Sequence, residues 1–242
     1  MSQDKQPGLF RIIVGAFISC VILLVVWNLS GGTVQGFHAL SQKFGKTVEN
    51  CIHGDCTMSA PGGSVSSLAV SNEVHEGYDR SQWKHWSTVD HSCWDTRDQV
   101  LYDMGKDVKL LDGNKKPTQR LEDACSVSSG TWIDPYSGQT FTDPSKLDID
   151  HIVPLQSAYN KGGYLWDGDK REAYANDLDV LTISSASENR AKGSKTFDQW
   201  VPSNPNDYCN YAERYTEVLV KYGLTVTDAE RDALEGAAQK CQ

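Results

Sequence analysis

Asp150, His151 and Asn189 are the residues in this sequence whose types and spacing could do chemistry. Asp150 and Asn189 both offer side-chain oxygen, which suits a hard divalent cation such as Mg²⁺ or Mn²⁺. His151 follows Asp150 by one residue, so it can sit beside such an ion without ligating it. A neutral imidazole there can take a proton from an attacking water. The ion would stabilise charge building on a phosphate and on its leaving oxygen. An adjacent Asp and His alone carry little information; the elements around them carry more.

The stretch Leu147 to Leu155 reads LDIDHIVPL. Ile149, Ile152 and Val153 favour a strand, and Pro154 ends its pairing. Asp179 to Ile183 reads as a second strand. Ser185 and Glu188 then form a capping box that opens a helix. Asn189 falls in the first turn of that helix, followed by Arg190, Lys192 and Lys195. These three cations are either a solvated helix face or contacts to phosphates beside the ion. The order strand, loop, strand, helix can set a strand carboxylate and a helix amide on opposite sides of one cation.

The segments DIDHIVPL, NDLDVL and SENRAKG resemble the HNH, or ββα-metal, nuclease family. The chain is similar to the HNH domain of RNA-guided nucleases. It is closer to secreted and membrane-associated bacterial HNH proteins. There, a Cys-bearing DTR segment, a GxWxDPY turn and a terminal Cys pair surround the site. Here those features are Cys93 with Asp95, Thr96 and Arg97; Gly130, Trp132, Asp134, Pro135 and Tyr136; and Cys209 with Cys241. The likeness runs from about Tyr78 to Cys241. It implies that Asp150 is a metal ligand, His151 the general base and Asn189 the final motif residue at the metal. It further implies that Asn176 holds the loop and orients the His, and that Asp148 is a second carboxylate near one divalent ion. The loop between the strands, with Asn160 to Gly163 and Trp166 to Arg171, is longer than in the compact motif. Arg97 reads as structural, and Trp132, Trp166 and Trp200 as packing residues. His38, His53, His75, His85 and His91 have no convincing partner spacing.

The implied fold is α+β: a ββα-metal core with added helices and disulfides, preceded by one transmembrane helix. Its expected activity is metal-dependent endonucleolytic hydrolysis of DNA, with RNA as a further substrate and low sequence specificity. The competing expectation is a membrane-tethered nucleic-acid- or partner-binding module that keeps the fold and has lost turnover. No protein partner is readable.

The formal net charge of −9 argues against a sequence-specific DNA reader, which needs a basic face. It leaves room for a nuclease whose metal supplies local positive charge. Ile12 to Leu29 is an uncharged apolar run, long enough to span a bilayer, with Lys5 and Arg11 before it and Trp27 near its far end. A cleavable signal peptide is the alternative, but no small-x-small site follows. Residues 1–11 are then a cytoplasmic tail, 12–29 the span, 30–76 a flexible stalk and 77–242 the nuclease domain.

Cys20 lies in the apolar run. Cys51, Cys56, Cys93, Cys125, Cys209 and Cys241 form an even set that suits an oxidising compartment. A zinc–thiolate site is the weaker reading, since no CxxC pair occurs. This set places the domain on the periplasmic or extracellular side. Cys51 and Cys56 can close a local loop. Cys93 and Cys125 can staple a helix over DTRDQVLYDM to a hairpin turning at Pro135 to Gly138. Tyr208 to Tyr222 predicts a helix closed by Gly223, and Thr227 with Glu230 a capping box opening another. Folded back around Thr225, these two helices bring Cys209 to Cys241.

Overall fold

The structure is a computed structural model that describes residues 64–88 and 93–241, within one compact unit. The apolar run Ile12 to Leu29, most of the expected stalk and the Cys51–Cys56 pairing lie outside the described residues. Among the described residues, no helix is long and apolar enough to cross a membrane.

The protein is a mixed α+β fold. Helix α1 (Thr96–Met104) leads into strands β1 (Lys106–Asp112), β2 (Pro117–Thr118), β3 (Ala124–Ile133) and β4 (Thr140–Phe141). These four form an antiparallel sheet in the order β2-β1-β3-β4. Strand β5 (Leu147–His151) pairs antiparallel with β6 (Leu181–Ser185) in a separate ribbon. Between them run α2 (Leu155–Asn160) and α3 (Gly168–Ala175), so the long inter-strand loop contains two short helices. Helix α4 (Ala186–Lys192) follows β6 directly, and α5 (Tyr208–Tyr222) and α6 (Asp228–Lys240) close the chain.

Strand β6 begins two residues later than the sequence predicts. Asp177 accepts from the backbone N–H of both Asp179 and Val180, holding that stretch in a turn. Half of each predicted capping box forms: Ser185 accepts from the Glu188 N–H and Thr227 from the Glu230 N–H, while the Glu188 carboxylate turns to Ser203 and the Glu230 carboxylate to Lys161 and Tyr215. Gly223 closes α5 in the left-handed region at φ 63°, where a Cβ is disfavoured. The helix pair then carries a Cys209–Cys241 disulfide, and Cys93–Cys125 joins the segment before α1 to β3.

Alternation along β5 and β6 divides the ribbon into two faces. Leu147, Ile149, Leu181 and Ile183 face a core with Val100, Leu101, Leu110 and Trp132. Asp148 and Asp150 occupy the alternate positions. A second core, rich in Tyr, lies under the helices, with Trp83, Tyr136, Tyr174, Tyr211 and Tyr215 fully buried.

Residues 64–76 correct the expected stalk, because they belong to the body of the domain. Leu68 is in the second core, Val70 bridges to Val226, and the Val74 N–H donates to the Asn160 carbonyl. Composition alone misses this: the segment is rich in Ser, but its few apolar residues are spaced to dock.

Candidate active site

Helix α4 docks on β5 through two polar rungs. Asn189 and Lys192 are three residues apart and share one helix face. Asp148 and Asp150 are two apart and share one strand face. The Asn189 Nδ2 donates to Asp148 Oδ2 at 3.0 Å, and the Lys192 Nζ to Asp150 Oδ2 at 2.8 Å. Lys192 also donates to the His151 carbonyl at 2.8 Å. The Tyr136 hydroxyl makes a further bond to Asp150 Oδ2, at 2.9 Å.

These groups are out of water: Lys192 is 0% exposed, His151 5% and Asp150 6%. Burial pushes the Asp150 carboxyl up and the Lys192 ammonium down, while their attraction opposes both shifts. Burial also lifts the Tyr136 phenol well above its usual range, so it stays a donor.

His151 ends β5 with its ring between Trp86 and Tyr174, at centroid distances of 6.1 and 6.3 Å. Its Nε2 lies 3.0 Å from the Ala175 carbonyl. A carbonyl only accepts, so that nitrogen carries the proton and Nδ1 keeps its lone pair. Burial, with Lys192, Arg80 and His85 nearby, pushes the imidazole down to about 3, and the bond to Ala175 works against this. The ring is therefore neutral at ordinary pH. Trp86 has φ 60°, uncommon for a bulky residue.

Asn176 fixes the backbone that carries Ala175. Its Oδ1 accepts from the Ser87 N–H at 2.8 Å and the Thr96 hydroxyl at 2.9 Å. Its Nδ2 donates to the carbonyls of Lys84 and Glu172, both at 2.8 Å. One amide thus ties α3 to α1 and to the segment bearing Trp86.

Asp150, His151 and Asn189 line one open cavity of about 310 Å³, with Tyr78, Arg80, Gln156 and Ser194 around it. Among the described residues no three His, Cys, Asp or Glu side chains form a ready cage for a metal. Asp148, Asp150 and Asn189 instead offer two carboxylates and an amide. That all-oxygen set suits Mg²⁺ or Mn²⁺, which commonly takes one or two carboxylates and fills its shell with water and substrate oxygen.

Residues 95–236, more than half of the chain, match the family described as GmrSD restriction endonucleases, C-terminal domain. The chain belongs to this family. A relative described as an uncharacterized secreted protein from Arthroderma benhamiae is 34% identical over 180 residues, covering 73% of this chain and 82% of that protein. No solved structure matches. Membership in the GmrSD C-terminal family gives the chain a nuclease-related identity. The residues that line the cavity from outside the matched span are Tyr78 and Arg80.

Within the GmrSD-type domain the residues singled out from sequence are placed unequally. Asp150, His151 and Asn189 meet at the cavity, and Asp148, which does not line it, accepts from Asn189. Asn176 does not line the cavity; it follows Ala175, whose carbonyl meets His151. Lys192 does not offer its charge to a substrate, because its ammonium is buried against Asp150. Arg190 is exposed, and the exposed Lys195 turns back to the Ala191 carbonyl at 2.7 Å. Arg97 donates to the carbonyls of Pro144 and Leu147, a structural role through hydrogen bonds rather than an ion pair. Tyr136, Trp86, Tyr174 and Arg80 were not singled out for the site. For Tyr136 a signal existed in the DPY turn: Asp134 accepts from the Tyr136 and Ser185 N–H groups, fastening that turn to the start of α4.

Proposed function

We propose that this chain is a metal-dependent HNH-type endonuclease, with β5, β6 and α4 as its ββα-metal core. The observation that carries this reading is the convergence of Asp150, His151 and Asn189 on one cavity, with His151 neutral and its Nε2 spent on the Ala175 carbonyl. That leaves Nδ1 as the atom able to accept a proton from water. Asp150 and Asn189, with Asp148 bonded to Asn189, would hold one Mg²⁺ or Mn²⁺. When bound, that ion supplies Lewis-acid stabilisation of the phosphate and the leaving oxygen. Tyr136 and Lys192 hold the Asp150 carboxylate in place. Trp86 and Tyr174 hold the imidazole plane.

The substrate in this reading is DNA, with RNA as a further one, cut with low sequence specificity. The two disulfides suit an oxidising compartment, and the Arthroderma relative is described as secreted. The domain therefore works outside the cytoplasm, held at the membrane by Ile12 to Leu29.

The test is plasmid cleavage by the full-length protein with a panel of divalent metals and with EDTA. Cleavage that needs the metal and is lost in His151→Ala is expected. Metal-independent cutting, or an active His151→Ala, removes the mechanism. Retention of DNA with no cleavage under any metal would instead indicate a binding module of the same fold.

A further inference from the structure

The cations expected to meet phosphate are committed elsewhere or lie off the cavity. Lys192 is buried on Asp150, and Lys195 is turned onto its own helix. Arg190 does not line the cavity. Close to the site, Lys84 is paired with Glu172 at 2.7 Å, and Arg171 is bonded to Gln82 and the Tyr164 carbonyl. Arg80 is different. It lines the cavity together with Asp150, His151 and Asn189. Among the described residues no carboxylate forms an ion pair with its guanidinium. Its neighbour Asp79 is turned to the Ser81 N–H and hydroxyl, at 2.9 and 2.8 Å.

The backbone carrying Arg80 is anchored on both sides. Gly77, at φ 86°, packs so closely on Tyr159 that a Cβ would lie 2.7 Å from its hydroxyl. The Tyr78 ring meets Tyr159 edge-on at 5.7 Å. Arg80 then opens a single 3-10 turn, Arg80–Gln82, followed by Trp83, which is 1% exposed. With the backbone fixed at both ends, binding through the exposed Arg80 side chain has no loop to order. A guanidinium also presents paired donors matched to phosphate oxygens.

We infer that Arg80 is the phosphate-binding residue of this site, gripping a phosphodiester of a nucleic acid strand in the cavity beside Asp150, His151 and Asn189. This deepens the nuclease reading and rests on it for the identity of the ligand. A cavity of about 310 Å³ is at the small end of ligand pockets, so it takes a nucleotide unit of a strand rather than a length of duplex. With net charge −9 and few free cations at the site, phosphate contacts are few. Binding should therefore depend only weakly on salt.

The test is binding without turnover. Full-length protein in EDTA is titrated against a short fluorescent single-stranded oligodeoxynucleotide, by anisotropy, over a series of KCl concentrations. The matching oligoribonucleotide is run alongside, and the same response is expected because the contact is to phosphate. Each lost phosphate contact on a single strand lowers the slope of log K against log salt by about 0.7. Arg80→Gln is expected to weaken binding and lower the slope by that amount, and Arg80→Lys to keep the slope with weaker binding. The inference is overturned if wild type does not bind or if Arg80→Gln keeps the wild-type slope. It is also overturned if the loss follows Arg190→Gln or Lys195→Gln instead, or if Arg80→Lys loses the slope too. The two readings fail separately. Arg80-dependent binding with no cleavage under any metal leaves this subsite and removes the nuclease, whereas metal-dependent cleavage with an unchanged Arg80→Gln does the reverse.

Discussion

The ammonium of Lys192 lies 2.8 Å from the Asp150 carboxylate, with both groups buried and a Tyr136 hydroxyl bonded to the same oxygen. This pair bolts the C-terminal turn of α4 to the end of the site strand, one residue before His151. Removing one partner of a buried pair strands the other charge, at a cost of roughly 3–5 kcal/mol. Lys192→Met is therefore expected to lower stability by about that much in urea unfolding. A variant with wild-type stability would return Lys192 to the role of a substrate contact. Tyr136→Phe keeps the ring and removes one bond, so its expected loss is smaller, about 1–3 kcal/mol.

Acid should destabilise the metal-free protein through His151. The unfolded imidazole takes up a proton near 6.5, whereas the folded one does not until about 3. Below pH 6.5 the unfolded state binds more protons, so stability is lost as pH falls from about 6.5 toward 3 and is fully present above that window. Lys192, Arg80 and His85 face the ring and lower it further; Ala175 opposes them. His151→Gln keeps a donor for the Ala175 carbonyl and cannot titrate. In EDTA its stability should vary less with pH over this window than wild type, by up to several kcal/mol. Parallel curves for the two proteins would contradict the assignment.

Asn176 makes four hydrogen bonds that unite three segments. Asn176→Ala should cost about 2–4 kcal/mol, because its partners lose their bonds together. If the site is a nuclease, kcat should fall while KM holds, since His151 is displaced through Ala175 and no cavity contact is removed. A rise in KM alone would place Asn176 at the substrate.

The Cys209–Cys241 disulfide closes a loop spanning 32 residues around the α5–α6 hairpin. Chain entropy assigns such a crosslink about 3–4 kcal/mol. Replacing both cysteines with serine should lower the urea midpoint accordingly and leave the cavity intact, as α6 does not line it. Equal midpoints for the double variant and wild type would show that helix packing alone holds the hairpin.

Much of this protein was legible in its sequence because the signals were local. Capping at Ser185 and Thr227, the left-handed stop at Gly223, the Pro135–Gly138 turn and the spacing of Cys209 and Cys241 each depend on a few neighbouring residues. Asp150, His151 and Asn189 could be named because the order strand, loop, strand, capped helix surrounds them and because that stretch resembles the HNH motif. The folded structure alone decided which charges are free. Lys192 and Arg190 look alike in sequence, yet one is buried on Asp150 and the other faces water, because only the docking of α4 on β5 selects a helix face. Arg80 and Trp86 lay outside the motif, and the packing of Gly77, Tyr78 and Trp83 brings their segment to the cavity. Long-range packing has no period to read, so the partners of His151 and Asp150 became visible only in three dimensions.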